Sequence, residues 1–187
     1  EIVEGVSVRR LRWFGSHRYP IAPSVLKAIK DADLVHVHGV DFFFDFLAAT
    51  KFIHKKPLIA TTHGGFFHTS FAKDLKEIYF KTLTKVSAKA YSRIICCSDN
   101  DYRIFSEIIP SDKLITVEVG VDVEKFKNAS SLKQEPTIIY FGRWSANKGL
   151  LDALHLLAKL TEQHPTTNFK LIIAGRPYDL NKDQLLQ

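Results

Sequence analysis

The sequence predicts an α/β protein made of two Rossmann-like units with parallel sheets, each of them incomplete. Apolar runs typical of buried strands alternate with segments that have helical patterning. This alternation favours a parallel, doubly wound sheet. It stops once, in a polar segment, and then restarts, which indicates a second unit.

The first unit rests on four apolar runs separated by helical stretches. Helical patterning covers 23–30 and 42–54, and Ser98 is typical of a helix N-cap. The predicted strands are 32–38, 57–62, 93–97 and 114–119. We therefore assign residues 1–125 to the first domain.

A polar segment at 126–136, which ends in Pro136, is the predicted linker. After it the alternation restarts with a strand at 137–141, a helix from about Asn147 to Gln163 and a strand at 169–174. Residues 137–187 are therefore expected to be the start of a second domain.

Composition limits the class of protein only broadly. The chain has 187 residues, of which 45% are hydrophobic and 25% charged, as in a globular protein with a real core. The formal charge of +6 suits a phosphorylated ligand, an anionic membrane or nucleic acid equally. Neither a membrane-spanning run nor a signal peptide is evident. Because the chain begins at Glu1 and lacks methionine, we expect it to be a piece of a longer protein.

Two adjacent cysteines, Cys96 and Cys97, close the third predicted strand. Neighbouring strand residues point to opposite faces, so these two are poor partners for a disulfide. We expect both to be reduced core residues of an intracellular protein.

The turn at 140–149, which reads Y-F-G-R-W-S-A-N-K-G, carries the strongest chemical signal. A strand followed by a glycine turn at Gly142 and a helix directs free backbone N–H groups at one point, which favours an anion. Arg143 and Lys148 bracket this turn. Two cations beside it suit a diphosphate better than a single carboxylate.

Histidines follow or close two of the predicted strands. His36 and His38 alternate along one strand and so face the same side. Together with His63 they could bind a metal, as in metal-dependent hydrolases. Further ligands at a suitable spacing are lacking, so the sequence favours a site without metal and leaves the hydrolase as an alternative.

Three motifs in order resemble glycosyltransferase family 4, whose members have the two-domain GT-B fold. They are T-x-H-G-G at 61–65, G-V-D at 120–122 and Y-F-G-R-x4-K-G at 140–149. The match runs from about residue 32 to residue 175. Within it, H-G-G-F-F-H-T at 63–69 is similar to bacterial mannosyltransferases that build lipid-linked polysaccharide repeats.

The resemblance implies roles for particular residues. Arg143 and Lys148 would hold the diphosphate of the donor, and His63 would lie near the donor sugar and the reaction centre. His68 would either face the acceptor or cap its loop. The remaining positions implied are Gly64, Gly65 and Gly142 in the loops around donor and acceptor, and Gly120 and Asp122 between the domains, where Asp122 is expected to be structural.

The implied activity is transfer of a sugar, in the narrower match mannose from GDP-mannose, to a glycan or lipid-linked acceptor with retention of configuration. The 1–125 domain would hold the acceptor and the 137–187 segment would begin the nucleotide-sugar domain. The resemblance implies neither metal nor other cofactor, and no nucleic acid partner. A nucleotide-binding module without catalysis is the remaining alternative.

Several departures from the family qualify this expectation. Val119 stands where the family usually has asparagine, and Arg176-Pro177 follows Gly175 where a second glycine is common. The paired glutamates that contact the donor and the first glycine-rich loop are not in this sequence. The chain by itself is therefore not expected to be a competent enzyme.

The segment 71–91 is predicted to be an amphipathic helix. One face would hold Leu75, Tyr79, Leu83, Val86 and Ala90, with Lys81 and Lys85 far around the axis. It is either an ordinary solvated surface helix or, together with Lys51, Lys55 and Lys56, a contact with anionic lipid. A lipid-linked acceptor favours the second, which would put a cytoplasmic protein at the inner face of the membrane.

Overall fold

The computed structural model describes residues 1–16, 19–64, 73–127 and 135–185. The chain divides into two compact units, Glu1–Gly120 and Val121–Gln187. Most of the predicted linker, residues 128–134, lies outside the described ranges.

The main sheet of the first unit is parallel, as the sequence predicts. Two antiparallel hairpins that the sequence did not reveal precede it: Ile2–Val3 (β1) with Val6–Ser7 (β2), and Phe14–Ser16 (β3) with Tyr19–Ile21 (β4). Within the described residues, the main sheet has four strands in sequential order: Val35–His38 (β5), Leu58–Thr61 (β6), Arg93–Cys96 (β7) and Leu114–Thr116 (β8). All four lie inside the predicted ranges.

Helices connect these strands. They are Val25–Ala28 (α1), Phe42–Ala49 (α2), Lys51–His54 (α3), Lys73–Tyr79 (α4), a π-helical stretch at Phe80–Thr84, Lys85–Ala88 (α5), Asp99–Ser106 (α6) and a 3₁₀ turn at Ser111–Lys113. The predicted N-cap is confirmed, because the Ser98 side chain accepts a hydrogen bond from the backbone of Asp101.

The core lies between the sheet and these helices. Alternation along β5 buries Val35 and Val37 and leaves His36 and His38 exposed on the other face. Phe44 of α2 stacks on Tyr91 with 4.4 Å between the ring centroids. Apolar side chains from successive strands and helices thus share one core.

A buried carboxylate ties the hairpin and the α4–α5 segment to α2. Asp45 of α2 is only 7% exposed. It accepts hydrogen bonds from the hydroxyls of Tyr19 (3.2 Å), Ser87 (2.7 Å) and Tyr79. Burial, reinforced by Asp45, raises the pKa of Tyr79, which keeps its hydroxyl protonated as a donor.

The apolar face predicted for the 71–91 segment is not the face that packs into the core. Phe80, Thr84, Ser87 and Ala88 are buried, whereas the predicted apolar face is largely exposed. The exposed fractions are 67% for Leu75, 43% for Leu83 and 62% for Val86. The buried residues keep helical spacing and lie one position after Tyr79, Leu83 and Val86, so the segment packs into the core with the neighbouring face.

The second unit has a parallel pair of strands. Its elements are Val123–Phe126 (α7), Thr137–Phe141 (β9), a 3₁₀ turn at Ala146–Lys148, Leu150–Gln163 (α8), Lys170–Ala174 (β10) and Lys182–Leu185 (α9). Strands β9 and β10 pair in register from Thr137 with Lys170 to Phe141 with Ala174. Within the described parts of both units, no helix is sufficiently long and apolar to cross a membrane.

We expect Asp45→Ala to lower the free energy of unfolding by about 3 kcal/mol, because it leaves buried hydroxyls without an acceptor. Urea unfolding measures this change. Asp33, which is exposed, provides the matched control, and Asp33→Ala should stay within about 0.5 kcal/mol of wild type. Equal losses in the two variants would contradict a stabilising role for the Asp45 contacts.

Candidate active site

A cluster of three histidines lies at the carboxyl ends of neighbouring strands in the first unit. His38 closes β5, and its Nδ1 lies 2.8 Å from Nε2 of His63, which follows β6. His36 stacks on His38 with 4.2 Å between ring centroids. Its Nε2 lies 2.7 Å from the hydroxyl of Thr61. The predicted His63 therefore does not stand alone.

The backbone at His63 is held in a strained turn. His63 has a φ of 49°, in the left-handed region that residues with a side chain rarely adopt. Gly64 follows with a φ of 85°, for which glycine is suited.

Asp101 of α6 stabilises this turn and was missed by the sequence analysis. It is 4% exposed, and its Oδ2 accepts hydrogen bonds from the Thr62 hydroxyl at 2.6 Å and the Gly64 backbone N–H at 2.8 Å. Sequence showed Asp101 only as one of several acidic residues at a helix start. Its pairing with a turn far away in the chain gives no local signal.

The metal alternative gains no support from this cluster. Nitrogens that share a tetrahedral zinc ion stand about 3.3 Å apart, whereas those of His38 and His63 face each other at 2.8 Å. Among the described residues, no group of three or more His, Cys, Asp or Glu side chains is arranged to hold a metal ion. The pKa of His36 is lowered, mainly because the ring is partly buried and secondarily because His38 and His63 are close to it.

The two cysteines differ in environment, which corrects the expectation that both belong to the core. Cys96 is fully buried, and burial raises the pKa of its thiol to about 11. Cys97 is only half-buried, and its Sγ lies 3.7 Å from Nδ1 of His63. Both are free thiols, as predicted.

The predicted diphosphate turn lies in the second unit and presents both of its cations to solvent. Arg143 and Lys148 are exposed. The guanidinium of Arg143 lies over the ring of Tyr178, 4.9 Å from its centroid. In the described parts of the chain, neither cation belongs to an ion pair. Both charges therefore remain available to an anion.

Some backbone donors of that turn already have acceptors within the second unit. Asp179 accepts from the Ala146 N–H at 3.2 Å and from the Ser145 hydroxyl at 2.9 Å. Helix α8 begins at Leu150 rather than near Asn147, since Gly149, with a φ of 73°, separates it from the 3₁₀ turn. The motif at 140–149 gives no sign that Asp179, which follows β10 in the sequence, accepts these hydrogen bonds.

Gly175 lets this turn approach the end of β10 closely. The Gly142 N–H donates to the Ala174 carbonyl at 3.0 Å. A Cβ built on Gly175 would lie 1.7 Å from the Gly142 oxygen, and the φ of Gly175 is 151°. No side chain fits at Gly175 unless the turn that carries Arg143 moves.

The motifs, their order and this parallel-sheet fold all point to one family. The model of Glycosyltransferase Family 4 matches residues 1–125, which is more than half of the chain. This chain belongs to Glycosyltransferase Family 4. The resemblance inferred from the motifs is thereby confirmed, and the mixed α/β architecture agrees with the GT-B fold of the family.

Curated relatives of this family 4 chain carry one shared name, GDP-mannose:cellobiosyl-diphosphopolyprenol alpha-mannosyltransferase. The proteins of Xanthomonas oryzae pv. oryzae and Xanthomonas campestris are each 50% identical to it, over 97% and 99% of this chain. That of Komagataeibacter xylinus is 43% identical over 99% of it. The chain spans about half the length of these relatives, with 47%, 48% and 46% of them covered.

The remaining site residues predicted from the sequence do not belong to the histidine cluster or to the turn at 140–149. Gly65 and His68 lie outside the described residues. Gly120 has open space around it. The carboxylate of Asp122 accepts from the Lys125 N–H at 3.3 Å and so caps α7.

We expect Gly175→Ala to cost about 1–3 kcal/mol of stability in the second unit, because the added Cβ collides with Gly142 and the φ disfavours a side chain. Binding of GDP should weaken with it, since the turn that carries Arg143 must shift. Chemical unfolding and GDP titration measure both effects. The control is Gly120→Ala, where nothing lies within 4 Å of the new Cβ and stability should be unchanged.

Proposed function

We propose that this protein is a retaining mannosyltransferase that takes mannose from GDP-mannose and passes it to a lipid-linked acceptor. The observation that carries the proposal is the identity of 43–50% with three relatives of that name over 97–99% of the chain. The exposed cations and the ordered histidine turn supply the chemistry that such a transfer needs.

In this proposal Arg143 and Lys148 bind the diphosphate of the donor. As the bond between mannose and the diphosphate breaks, negative charge grows on the departing GDP, and fixed cations stabilise it. The planar guanidinium of Arg143 can meet two phosphate oxygens at once while its face rests on Tyr178. The two side chains supply positive charge that a metal ion would otherwise provide, so we propose a reaction without a metal cofactor.

His63 takes the position beside the donor sugar. Its turn is held by Asp101 from within the first unit, so the imidazole is presented in a fixed place before substrate arrives. Such preorganisation lowers the barrier because little rearrangement is left for the reaction step.

In the full-length protein we expect Arg143→Ala and Lys148→Ala each to lower kcat/KM for GDP-mannose by about 10²–10³. Arg143→Lys should recover only part of the loss, because an ammonium group lacks the paired geometry. Steady-state transfer assays with a polyprenyl-diphosphate acceptor measure this.

Lys159→Ala is the matched control, since Lys159 is an exposed cation on α8 of the same unit. Its activity should equal that of wild type, with or without a chelator. Full activity in both Arg143→Ala and Lys148→Ala would refute the donor site, and loss of wild-type activity in the chelator would refute the metal-free reaction.

The proposal extends to contact with the anionic cytoplasmic face of a membrane, where a lipid-linked acceptor would be found. Its support is the outward apolar face of the α4–α5 segment at Leu75, Ile78 and Val86, with the exposed Lys85 on the same segment. A mainly apolar cavity of about 380 Å³ opens between this segment and α2, lined in part by Leu83 and Val86. Apolar residues flanked by lysines are typical of helices that lie in a membrane interface.

Helix α3 also exposes apolar side chains next to lysines. Phe52 and Ile53 are exposed, and Lys51, Lys55 and Lys56 stand beside them in sequence. Each lysine near an anionic surface contributes about 1 kcal/mol of binding.

Cosedimentation with vesicles that contain phosphatidylglycerol tests the membrane contact. We expect a variant with Leu75→Ser, Ile78→Ser and Val86→Ser to bind about tenfold or more weakly, because less apolar surface enters the interface. Val123→Ser, which changes an equally exposed apolar residue of the second unit, should bind like wild type. Equal binding by the triple variant would remove this surface from the proposal.

A further inference from the structure

We propose that His38 is a positioning residue, which holds the imidazole of His63 in one orientation, with Nδ1 of His63 facing the donor sugar. The inference rests on the proposed place of His63 at the reaction centre. It concerns a residue for which the family motif implied no role.

The first step is that both ring nitrogens of His63 have a neighbour. Nε2 lies 2.8 Å from Nδ1 of His38, a full-strength hydrogen bond. Nδ1 lies 3.7 Å from Sγ of Cys97, a weak contact with a poor donor and acceptor. An imidazole ring that is restrained at both nitrogens does not flip. The stronger of the two restraints is the hydrogen bond to His38 of β5.

The second step is that the backbone of His63 is fixed independently of its ring. Asp101 binds Thr62 and Gly64 on either side of it. The Thr62 N–H also donates to the Ile95 carbonyl at 2.9 Å, which ties the turn to β7. The side chain therefore starts from a defined point, and His38 needs to fix only the rotation of the ring.

The third step is a count of hydrogens. One hydrogen fits between Nδ1 of His38 and Nε2 of His63, so when both rings are neutral one donates and the other accepts. Donation by His38 leaves the hydrogen of His63 on Nδ1. Donation by His63 leaves Nδ1 as an acceptor. The bond permits either arrangement, but it makes the tautomers of the two histidines change together, and the ring of His63 keeps the same orientation in both.

The fourth step concerns what the substrate can displace. A sugar hydroxyl both donates and accepts, so it can replace Cys97 at Nδ1 whichever role that nitrogen plays. Replacing the bond to His38 would gain much less, since that bond is already short. Nδ1 is therefore the nitrogen that meets the donor, and His38 stays bound behind the ring.

The test uses the full-length protein with histidines labelled with ¹⁵N, and the His63 signals are assigned with His63→Gln. In wild type we expect a scalar coupling across the hydrogen bond between Nε2 of His63 and Nδ1 of His38. In His38→Phe, which keeps a ring without nitrogen, we expect this coupling to be absent and the Nε2 shift of His63 to move. Because this measurement needs no substrate, it decides the positioning separately from the proposed activity.

Transfer from GDP-mannose provides the second readout. We expect His38→Phe to lower kcat by about 10- to 100-fold, the usual cost of losing a partner that orients a functional imidazole, with a much smaller change in KM. His38→Asn should restore most of kcat, because the asparagine amide can reach the position of the histidine Nδ1. His155→Asn is the control, since His155 is an exposed histidine of α8 in the second unit.

Cys97→Ala removes only the contact that the sugar would replace, so we expect a kcat close to that of wild type. A loss as large as that of His38→Phe would overturn the assignment of Nδ1 as the nitrogen facing the donor. Unchanged His63 shifts in His38→Phe, or a kcat that falls as far in His155→Asn, would overturn the positioning role. A wild-type protein inactive with GDP-mannose would refute the proposed function, while the shifts would still decide the positioning.

Discussion

One buried carboxylate sets the geometry on which the candidate site depends. Asp101, at the first turn of α6, accepts from Thr62 and Gly64 and so holds His63 in a left-handed conformation. Such a conformation costs about 1–3 kcal/mol and persists only where surrounding bonds over-determine it. Because β5, β6 and β7 are parallel and in register, His38, His63 and Cys97 meet at the same edge of the sheet.

In the second unit, two exposed cations lie beside a turn that hydrogen bonds hold in place. Asp179 and the carbonyl of Arg176 take up backbone donors of the turn, at Ala146 and Trp144. The absence of a side chain at Gly175 lets the backbone at Gly142 approach it. Arg143 and Lys148 thus project from a fixed turn, with their charged side chains exposed.

Local patterns were sufficient for much of this architecture. Each predicted strand appears within its range, because buried parallel strands are short apolar runs bounded by polar residues. His63, Arg143 and Lys148 were predicted as site residues from their motifs alone. The N-terminal hairpins were missed because strands of two or three mostly exposed residues carry no periodic signal. The buried side of the α4–α5 segment was not predicted, because it includes the polar residues Thr84 and Ser87, which hydrophobic patterning does not mark as buried.

The sequence by itself therefore determined the α/β class, the family and the residue types at the strand ends, since these follow from short-range patterns and from motifs. Tertiary structure alone decided the partners of those residues. Asp101, Asp179 and Cys97 lie far along the chain from the turns or side chains that they contact, and His38 reaches His63 only because two strands are in register. Contacts of this kind arise from packing of the whole sheet, for which no local stretch of sequence holds the information.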